Sequence, residues 1–492
     1  MLGKPNKQKD FFDSYVYENL LPAEHILLDI KEQIDFSFIE EETKDLYDNQ
    51  LGRPSYPPEV LFKMLFLEFY YNLSDVEVAC QIKYNILYRY FCSLQIHDPT
   101  PDDTSLVVFR ERLGKDRFDK LFDRLVLQAK QKGLLKERFK IVDASKINAD
   151  ISLPNKVNLL HQGRKLIIKT ISRLNPKRAK ELAKRYLKKT RLFTKPDKQE
   201  ITEERKLTRK FIAKVKGRFS QEADNLCKML NSICWNHKKK GKLASFVDPD
   251  ARFGRTSPNA EAHFCGYKAH IAEDESEIIT SVDTLSGNEI EGVRLEPLLN
   301  KEEEKHLISR GLVADTIYDT GDNYQLLGTK KMRPYISFHK RNRRTWCGFR
   351  LNKKKNCLRC PQGNLSIGRI PQEEGYLYYF STTDCLRCPA KSTCIKAKED
   401  RARVFVKAGY IFDGKESPYR KRVLEMRKMI ERKFAEAKKW HGLTRARYRS
   451  KWKVAIQVLM TFLVMNAKRI ARLLKLPPIR QVFEPALAIR AG

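Results

Sequence analysis

The chain has 492 residues, of which 96 are Lys or Arg and 61 are Asp or Glu, giving a formal net charge of +35 at pH 7. The length is enough for two or three domains. The positive charge runs along the whole chain, which excludes a single basic tail as its source and favours a polyanionic partner, DNA or RNA. Charge alone leaves two alternatives open: a ribosomal-type protein that binds nucleic acid without catalysing a reaction on it, or a protein that binds anionic membrane surfaces.

The hydropathy and the cysteine content of the chain indicate its cellular compartment. Residues 1–13 are polar and lack an apolar core, so we expect no secretory signal. The longest apolar stretch, 454–467, contains Gln457, Thr461 and Asn466 and is short for a membrane span, which favours a buried helix. Eleven cysteines in a chain without a signal favour free thiols or metal ligands in a reducing cytoplasm over a disulfide framework.

Residues 15–135 have the pattern of successive short helices. The segment PEVLFKMLFLEFYYNL carries apolar residues at helical spacing, and Ser74 followed by Glu77 predicts a capping box for the next helix. A further helix is predicted to end at Gly114. Such a succession is typical of a helix-turn-helix-like DNA-binding domain, and equally of a plain helical packing domain.

The pattern then changes to strands and insertions. Residues 139–142 form a β-branched run that ends at Asp143, and residues 160–245 are strongly basic and helical in pattern. We interpret the latter as a helical insertion, for which an antiparallel pair of helices is the simplest arrangement. Basic helices are usually solvated faces, and contact with the DNA backbone is the second interpretation.

An α/β pattern follows the insertion. We predict a hairpin, a helix, a strand ending at Asp315, a helix from Asp322 and a fifth strand, in that order, at residues 266–282, 289–305, 311–314, 322 onward and 334–338. A cysteine-bearing insertion occupies residues 340–410. One long helix is then predicted for 417–440 and an apolar helix for 451–475.

Three acidic residues stand where they can act together. Asp143 and Asp315 each follow a short apolar strand, where α/β sheets place ligands, although for either aspartate alone a turn former or helix cap is the favoured interpretation. Glu431 shares a narrow helical stripe with Arg427 and Lys438, beside an apolar stripe. A weak surface salt bridge between Arg427 and Glu431 is the alternative. Phosphodiester hydrolysis by two divalent ions requires about three such carboxylates.

These acidic segments resemble the catalytic blocks of bacterial insertion-sequence transposases of the DDE class. KIVDASKINA resembles the first block, and LVADTIYDTGDNY the second. The third block, Tyr-x2-Arg-x3-Glu-x6-Lys, is matched except at its first position, where Leu424 replaces the tyrosine; in the second block, Ile317 replaces a glycine. The resemblance assigns catalysis and Mg²⁺ binding to Asp143, Asp315 and Glu431, and contacts with DNA or phosphate to Arg427, Lys438, Tyr318 and Asn323.

Other segments extend the resemblance over most of the chain. PSYPPEVLFKMLFLEFYYNLSDVEVA, FCGYKAHIAEDESEIITSVDTLSGNEIEG and RARYRSKWKVAIQVLMTFLVMNAKRI are similar to the N-terminal domain, the second and third core strands, and the C-terminal tail of these enzymes. The cysteines before the last block make the chain most similar to insertion-sequence group 1182.

The resemblance implies a fold and a reaction. The expected fold is α/β: an RNase H-like mixed five-stranded sheet flanked by helices, with a helical N-terminal domain, a basic helical insertion and a cysteine-rich insertion. The expected enzyme binds double-stranded DNA at the inverted repeats of its element, cleaves it with two Mg²⁺ ions, for which Mn²⁺ can substitute, and transfers the 3′ ends to target DNA as a homodimer. The alternatives are a degenerate or domesticated DNA-binding protein and a structure-specific nuclease that does not join ends.

The cysteines form a separate pattern. Two Cys-x2-Cys pairs with a fifth cysteine close behind are a zinc signal, since tetrahedral Zn²⁺ takes four thiolates from tight turns. Five cysteines compete for four places, and Cys357 is the expected spare. Buried free thiols are the alternative. The predicted ligands of a structural Zn²⁺ are Cys360, Cys385, Cys388 and Cys394.

The patterns together predict six segments. They are a helical DNA-binding domain at 1–135, the first core strand at 136–150, the basic helical insertion at 151–250, the continued core at 251–340, the cysteine-rich insertion at 341–412, and the last helices with the basic tail at 413–492.

Overall fold

The computed structural model describes most of the chain. The described residues are 2–3, 11–48, 54–187, 196–235, 243–255, 263–337, 348–352, 356–372, 375–395, 399–407 and 418–475. Their helices and strands form a mixed α/β fold, as the sequence predicts. The predicted end of the fifth strand, residue 338, lies outside the described residues.

Helices fill most of the described part of residues 11–131. They are α1 (Phe11–Leu20), α2 (Ile26–Gln33), α3 (Phe38–Thr43), α4 (Pro58–Tyr71), α5 (Asp75–Tyr84), α6 (Ile86–Phe91) and α7 (Asp103–Gln131). The predicted capping box is present at the start of α5, where the Glu77 carboxylate accepts from the Ser74 amide at 2.7 Å. The predicted end at Gly114 is confirmed: Gly114 has a non-helical backbone with a φ of 61°, and beyond this kink a second helical segment of α7 continues to Gln131.

A six-stranded mixed sheet forms the centre. Its strands are β1 (Phe139–Asn148), β2 (Arg252–Arg255), β3 (His263–Asp274), β4 (Ile279–Ser286), β5 (Gly311–Ala314) and β6 (Arg333–Ile336). The order is β2-β3-β1-β5-β6, and β4 also pairs with β3. Strand β3 is antiparallel to its neighbours, whereas β1, β5 and β6 run parallel. The short strand β2 brings the sheet to one strand more than predicted.

Helix α12 (Leu295–Glu304) and helix α13 (Gly321–Thr329) connect the later strands. They share a hydrophobic cluster with the face of the sheet that carries Val142, Leu312 and Ala314. This face therefore lies against α12 and α13, and the opposite face is left for the N- and C-terminal helices.

The segment predicted as a basic insertion forms a four-helix unit with its own core. It consists of α8 (Lys156–Ser172), α9 (Pro176–Tyr186), α10 (Lys198–Val215) and α11 (Gln221–Trp235). Leu160, Ile167 and Phe211 are fully buried in a cluster separate from that of the sheet. The predicted helical character is confirmed, with four helices in place of a single pair.

The cysteine-bearing segment forms small sheets and short helices. These are β7 (Arg350–Asn352), β8 (Cys357–Arg359), β9 (Gly368–Gln372), β10 (Gly375–Tyr379), α14 (Thr382–Leu386), α15 (Lys391–Cys394) and β11 (Arg403–Lys407). Tyr378, Val404 and Val406 are buried in the same cluster as Leu312 and Ala314 of the central sheet. The segment is therefore packed onto the core.

The C-terminal part contains three helices, α16 (Pro418–Glu425), α17 (Arg427–Trp440) and α18 (Lys451–Lys475). The prediction of one long helix over 417–440 is wrong, because the chain tightens at Met426. There, Met426 N bonds to Val423 O and Met429 N to Met426 O, both across three residues instead of four. Residue 417 lies outside the described part.

Helix α18 is long and apolar enough to cross a membrane, but 89% of its apolar window is buried inside the protein. It packs against α2, α4, α7 and β4. Its predicted role as a buried helix is confirmed, and it joins the N-terminal helices to the sheet in one hydrophobic cluster.

A buried ionic network reinforces this junction. Glu68 on α4 is 2% exposed and pairs with Arg447, which precedes α18, at 3.0 Å and with Arg110 of α7 at 3.3 Å. Separating any member would leave a buried charge without its partner, which is strongly destabilising. The N-terminal helices are thus fixed to the C-terminal part of the chain.

Candidate active site

Two aspartates lie side by side on the parallel strands β1 and β5. Ile141 pairs with Val313, and Asp143 and Asp315 each lie two residues beyond this pair. Asp315 directly follows β5, whereas Asp143 lies inside β1, which continues to Asn148. Because side chains alternate along a strand, both aspartates point to the face that carries Ile141 and Val313.

Helix α17 covers the same face. Its Ile430, Phe434 and Ala437 are buried in the hydrophobic cluster that contains Ile141 and Val313. This confirms the apolar stripe predicted for the helix. The adjacent stripe, with Arg427, Glu431 and Lys438, consequently lies along the aspartate side of the sheet.

Burial makes the carboxyl group of Asp143 hard to ionise. Its pKa is raised to about 7, chiefly by burial and also by the negative charges of Asp315 and Glu291. Two groups oppose this shift, the Ala144 amide, which donates to Asp143 Oδ1 at 2.8 Å, and the guanidinium of Arg427. Burial also raises the pKa of Asp315. At both aspartates, burial and nearby negative charge therefore outweigh the positive charge of Arg427 in their effect on the pKa.

Arg427 links the aspartates to the third predicted carboxylate. Its positive charge lowers the pKa of both Asp143 and Asp315, so it lies within electrostatic range of each. It also pairs with Glu431 at 3.9 Å, and Glu431 is 59% exposed. Arg427 Nε is buried without a hydrogen-bond partner in the described structure.

Lys438 approaches the site from the other end of the stripe. Burial lowers its pKa, as does the charge of Lys146, while the charge of Asp143 raises it. Lys438 and the exposed Lys146 therefore lie within electrostatic range of each other, on the Asp143 side. The sequence analysis assigned no role to Lys146, although it lies in the segment KIVDASKINA, three residues after Asp143.

Tyr318 and Asn323 occupy positions behind the aspartates. Tyr318 is fully buried, and its hydroxyl lies 2.9 Å from Nε2 of His270. The Asn323 amide donates to the carbonyls of Gly292 and Tyr318 at 3.0 and 3.1 Å. Both side chains are buried and form hydrogen bonds within the protein; their predicted contact with DNA stays a prediction.

A fourth acidic residue lies near the pair. Glu291 follows β4 in a 3₁₀ turn and forms an ion pair of 2.6 Å with Lys268, each side chain being 13% exposed. Its charge raises the pKa of both Asp143 and Asp315. The sequence analysis did not identify Glu291. The glycine that follows it, Gly292, lies where a Cβ would come within 2.4 Å of the Ile317 carbonyl oxygen.

Two residues depart from the family pattern, Ile317 and Leu424, and the structure describes the surroundings of both. Ile317, at the glycine position, has no positive φ, so its backbone does not require glycine. Leu424, at the tyrosine position, is partly buried and packs against the main hydrophobic cluster. Neither substitution disturbs the two aspartates.

Metal binding has partial support from the geometry. Among the residues that the structure describes, no group of three or more His, Cys, Asp or Glu side chains is arranged to hold an ion. The aspartate pair supplies two hard oxygen ligands with an excess of negative charge, which suits a divalent cation. Glu431 stands apart, against Arg427.

The cysteines come near one another in the combination predicted. Burial raises the pKa of Cys394, and the thiol groups of Cys385, Cys360 and Cys388 raise it further, so these groups lie within electrostatic range of it. The Ala402 amide lies 3.4 Å from Cys385 Sγ. Cys357 is not among the groups acting on Cys394, and its place as the spare stays a prediction.

Comparison with known proteins adds the family. Residues 15–112 match the family described as Transposase domain (DUF772), and residues 357–471 match the family described as Transposase DDE domain. No curated protein matches the chain. The first match runs from the middle of α1 into the first part of α7, and the second contains the five cysteines from Cys357 to Cys394 and the Arg427, Glu431 and Lys438 stripe. The two matches support an insertion-sequence DDE transposase.

Proposed function

We propose that this transposase cuts the ends of its element and joins the resulting 3′ ends to target DNA, using an RNase H-like core. The observation that carries the proposal is the position of Asp143 and Asp315, each two residues beyond the Ile141–Val313 pair, on the face of the sheet that α17 covers. A mixed sheet with helices on both faces supports the RNase H-like core that the sequence resemblance implies.

Asp143 and Asp315 would hold Mg²⁺, with Glu431 as the third ligand. The raised pKa values of the aspartates support this role, because a bound cation would offset the burial and repulsion that oppose their ionisation. Glu431 has the exposure needed to turn from Arg427. When bound, two such ions activate the attacking oxygen and stabilise the charge that develops on the phosphate.

The chain's own cations would position the DNA. Arg427 has a buried donor without an acceptor in the described structure, and a phosphodiester oxygen would satisfy it. Lys438 lies toward Asp143 and would hold a neighbouring phosphate. Tyr318 and Asn323 would keep the Asp315 loop fixed through their internal hydrogen bonds.

The partner is double-stranded DNA of the element ends and of the target. The net charge of +35 supports binding to a polyanion, with an affinity that falls as the salt concentration rises. Two ends must be joined in one reaction, so we propose a homodimer in the synaptic complex. A degenerate, inactive transposase is not favoured, because the three carboxylates and the stripe of α17 are all present.

A cleavage assay on labelled DNA from the ends of the encoding element tests the proposal. Asp143→Asn, Asp315→Asn and Glu431→Gln should each abolish Mg²⁺-dependent cleavage and leave end binding in a mobility-shift assay nearly unchanged. Asp322→Asn and Glu425→Gln are matched controls, since both residues are exposed and lie close by in sequence. Cleavage by Asp143→Asn at the wild-type rate would contradict the proposal.

We also propose that Cys360, Cys385, Cys388 and Cys394 bind a structural Zn²⁺. Their spacing and electrostatic proximity support this, although their side chains must draw closer to form a tetrahedral site. The zinc would tie α14 and α15 to the sheet of β7 and β8, since Cys360 directly follows β8. Its role would be structural, since the cysteines belong to a segment distinct from the aspartate pair.

A further inference from the structure

A cationic groove lies between α17 and α18. Its volume is about 540 Å³, and its lining residues are Ala435, Glu436, Lys439, Trp440, Lys468 and Arg472. Lys439 and Trp440 follow Lys438, which lies toward Asp143. Successive residues turn by about 100° around a helix, so the groove lies on a different side of α17 from the aspartates.

Trp440 is the prominent feature of this groove. Its side chain is 59% exposed, although large aromatic residues are usually buried to a high degree. The Lys439 ammonium group lies 4.7 Å from the centroid of its ring. An aromatic ring has two faces, so a contact with Lys439 on one side leaves the other face for a planar ligand.

The charges around Trp440 are predominantly positive. Lys439, Lys468 and Arg472 face a single carboxylate in the lining, Glu436, and Lys468 already pairs with Glu436 at 2.7 Å. Lys439 and Arg472 form no ion pair with the residues that the structure describes. The groove thus combines an exposed aromatic ring with two cations whose charge is uncompensated.

We propose that this groove binds unpaired DNA, with one base stacked on Trp440 and the flanking phosphates held by Lys439 and Arg472. An aromatic platform beside cations is the arrangement that binds single strands, because every base offers a π face and every nucleotide a negative charge. In a duplex the bases stack on each other and are not available to the ring. The inference rests on the proposed function only in taking DNA as the ligand.

Trp452 provides a matched control. It is 38% exposed, and its neighbour Lys453 lies 5.1 Å from its ring centroid, so it repeats the pairing of aromatic ring and lysine. Its cavity, however, contains Asp75 and Glu111, and Lys453 is paired with Glu111 at 2.8 Å. This surface lacks the uncompensated charge of the groove.

The experiment measures binding of a short labelled single strand, and of the same sequence as a duplex, to the full-length protein in EDTA by fluorescence anisotropy. Trp440→Ala should weaken single-strand binding roughly tenfold or more, because stacking on an aromatic side chain contributes about 1–3 kcal/mol per base. Duplex affinity should change less than about twofold, the scale expected for a surface substitution. Trp440→Phe should retain most of the single-strand affinity, and Trp452→Ala should match the wild type.

Salt dependence tests the phosphate contacts separately. Lys439→Ala combined with Arg472→Ala should reduce the slope of log affinity against log salt for the single strand by about 0.7 for each phosphate that is no longer neutralised. Wild-type single-strand binding by Trp440→Ala, or an equally weakened affinity for Trp452→Ala, would overturn the proposal. So would a change in sedimentation of Trp440→Ala without a change in DNA binding, because that result would assign the groove to a second copy of the chain. EDTA prevents cleavage, so these outcomes are independent of the carboxylate variants.

Discussion

Replacing Asp143 by Asn should stabilise the metal-free protein at pH 8 while removing its cleavage activity. Burial raises the pKa of Asp143 to about 7 from an ordinary value of 3.8, and the charge of Asp315 contributes to this shift. A pKa difference of one unit is equivalent to about 1.4 kcal/mol. Ionising this carboxyl group in the folded state therefore costs up to about 4 kcal/mol of folding free energy, as an upper bound.

The sign of the pH dependence follows from proton binding. Between pH 3.8 and about 7 the folded state binds more protons at Asp143 than the unfolded state does, so stability falls as the pH rises through this window. Asn cannot ionise, and its side-chain oxygen can still accept from the Ala144 amide, a bond of 2.8 Å in the wild type. The gain from Asp143→Asn should thus be about 2 to 3 kcal/mol larger at pH 8 than at pH 5.

Urea unfolding in EDTA at several pH values measures this gain. Asp322→Asn removes an exposed carboxylate nearby and controls for the change in net charge. In a parallel series, Mg²⁺ should stabilise the wild type at pH 8 and leave Asp143→Asn unchanged, since a ligand stabilises only the state that binds it. If Asp143→Asn does not stabilise the protein at pH 8, or if its stabilisation does not increase between pH 5 and pH 8, burial does not raise the pKa of Asp143 and the reasoning is refuted.

Two further predictions concern the cysteines and the arginine of α17. Purified wild-type protein should contain about one equivalent of zinc by elemental analysis. Cys385→Ser should lose the zinc and melt at a lower temperature, whereas Cys357→Ser should keep it. Equal zinc contents in the two variants would contradict the proposed ligands. Arg427→Gln should move the acid limb of the cleavage pH profile to higher pH, because the positive charge of Arg427 lowers the pKa of Asp143; an unshifted profile would show that Arg427 acts on the DNA alone.

The strands and helices that surround the site were largely predictable because each has a local signal. The apolar runs before Asp143 and Asp315 became β1 and β5, and the apolar stripe of α17 became its buried face. The continuation of β1 past Asp143 was not predictable in the same way. Its Ala-Ser-Lys run has no strong strand pattern, and it is extended because it pairs with β3 as far as Asn148.

The supporting residues could not be assigned from spacing alone. Tyr318 and Asn323 matched a family motif, but their burial depends on His270 of β3 and Gly292 of the turn after β4. Glu291 and Lys268 are 23 positions apart in the sequence and meet only once the hairpin has folded. Contacts of this kind depend on tertiary packing, which leaves no periodic pattern in the local sequence.

The three carboxylates proposed to act in catalysis do not form one cluster in the structure. The aspartates lie together but oppose each other's ionisation, and Glu431 pairs with Arg427 across 3.9 Å at the surface. Exposed ion pairs of this kind contribute little, so Glu431 and Arg427 separate at small cost. A DNA phosphate that attracts Arg427 would release Glu431, and a cation would bring Glu431 to the aspartates. Under the proposed function, each ligand favours the rearrangement that the other needs, which would confine cleavage to the DNA-bound protein.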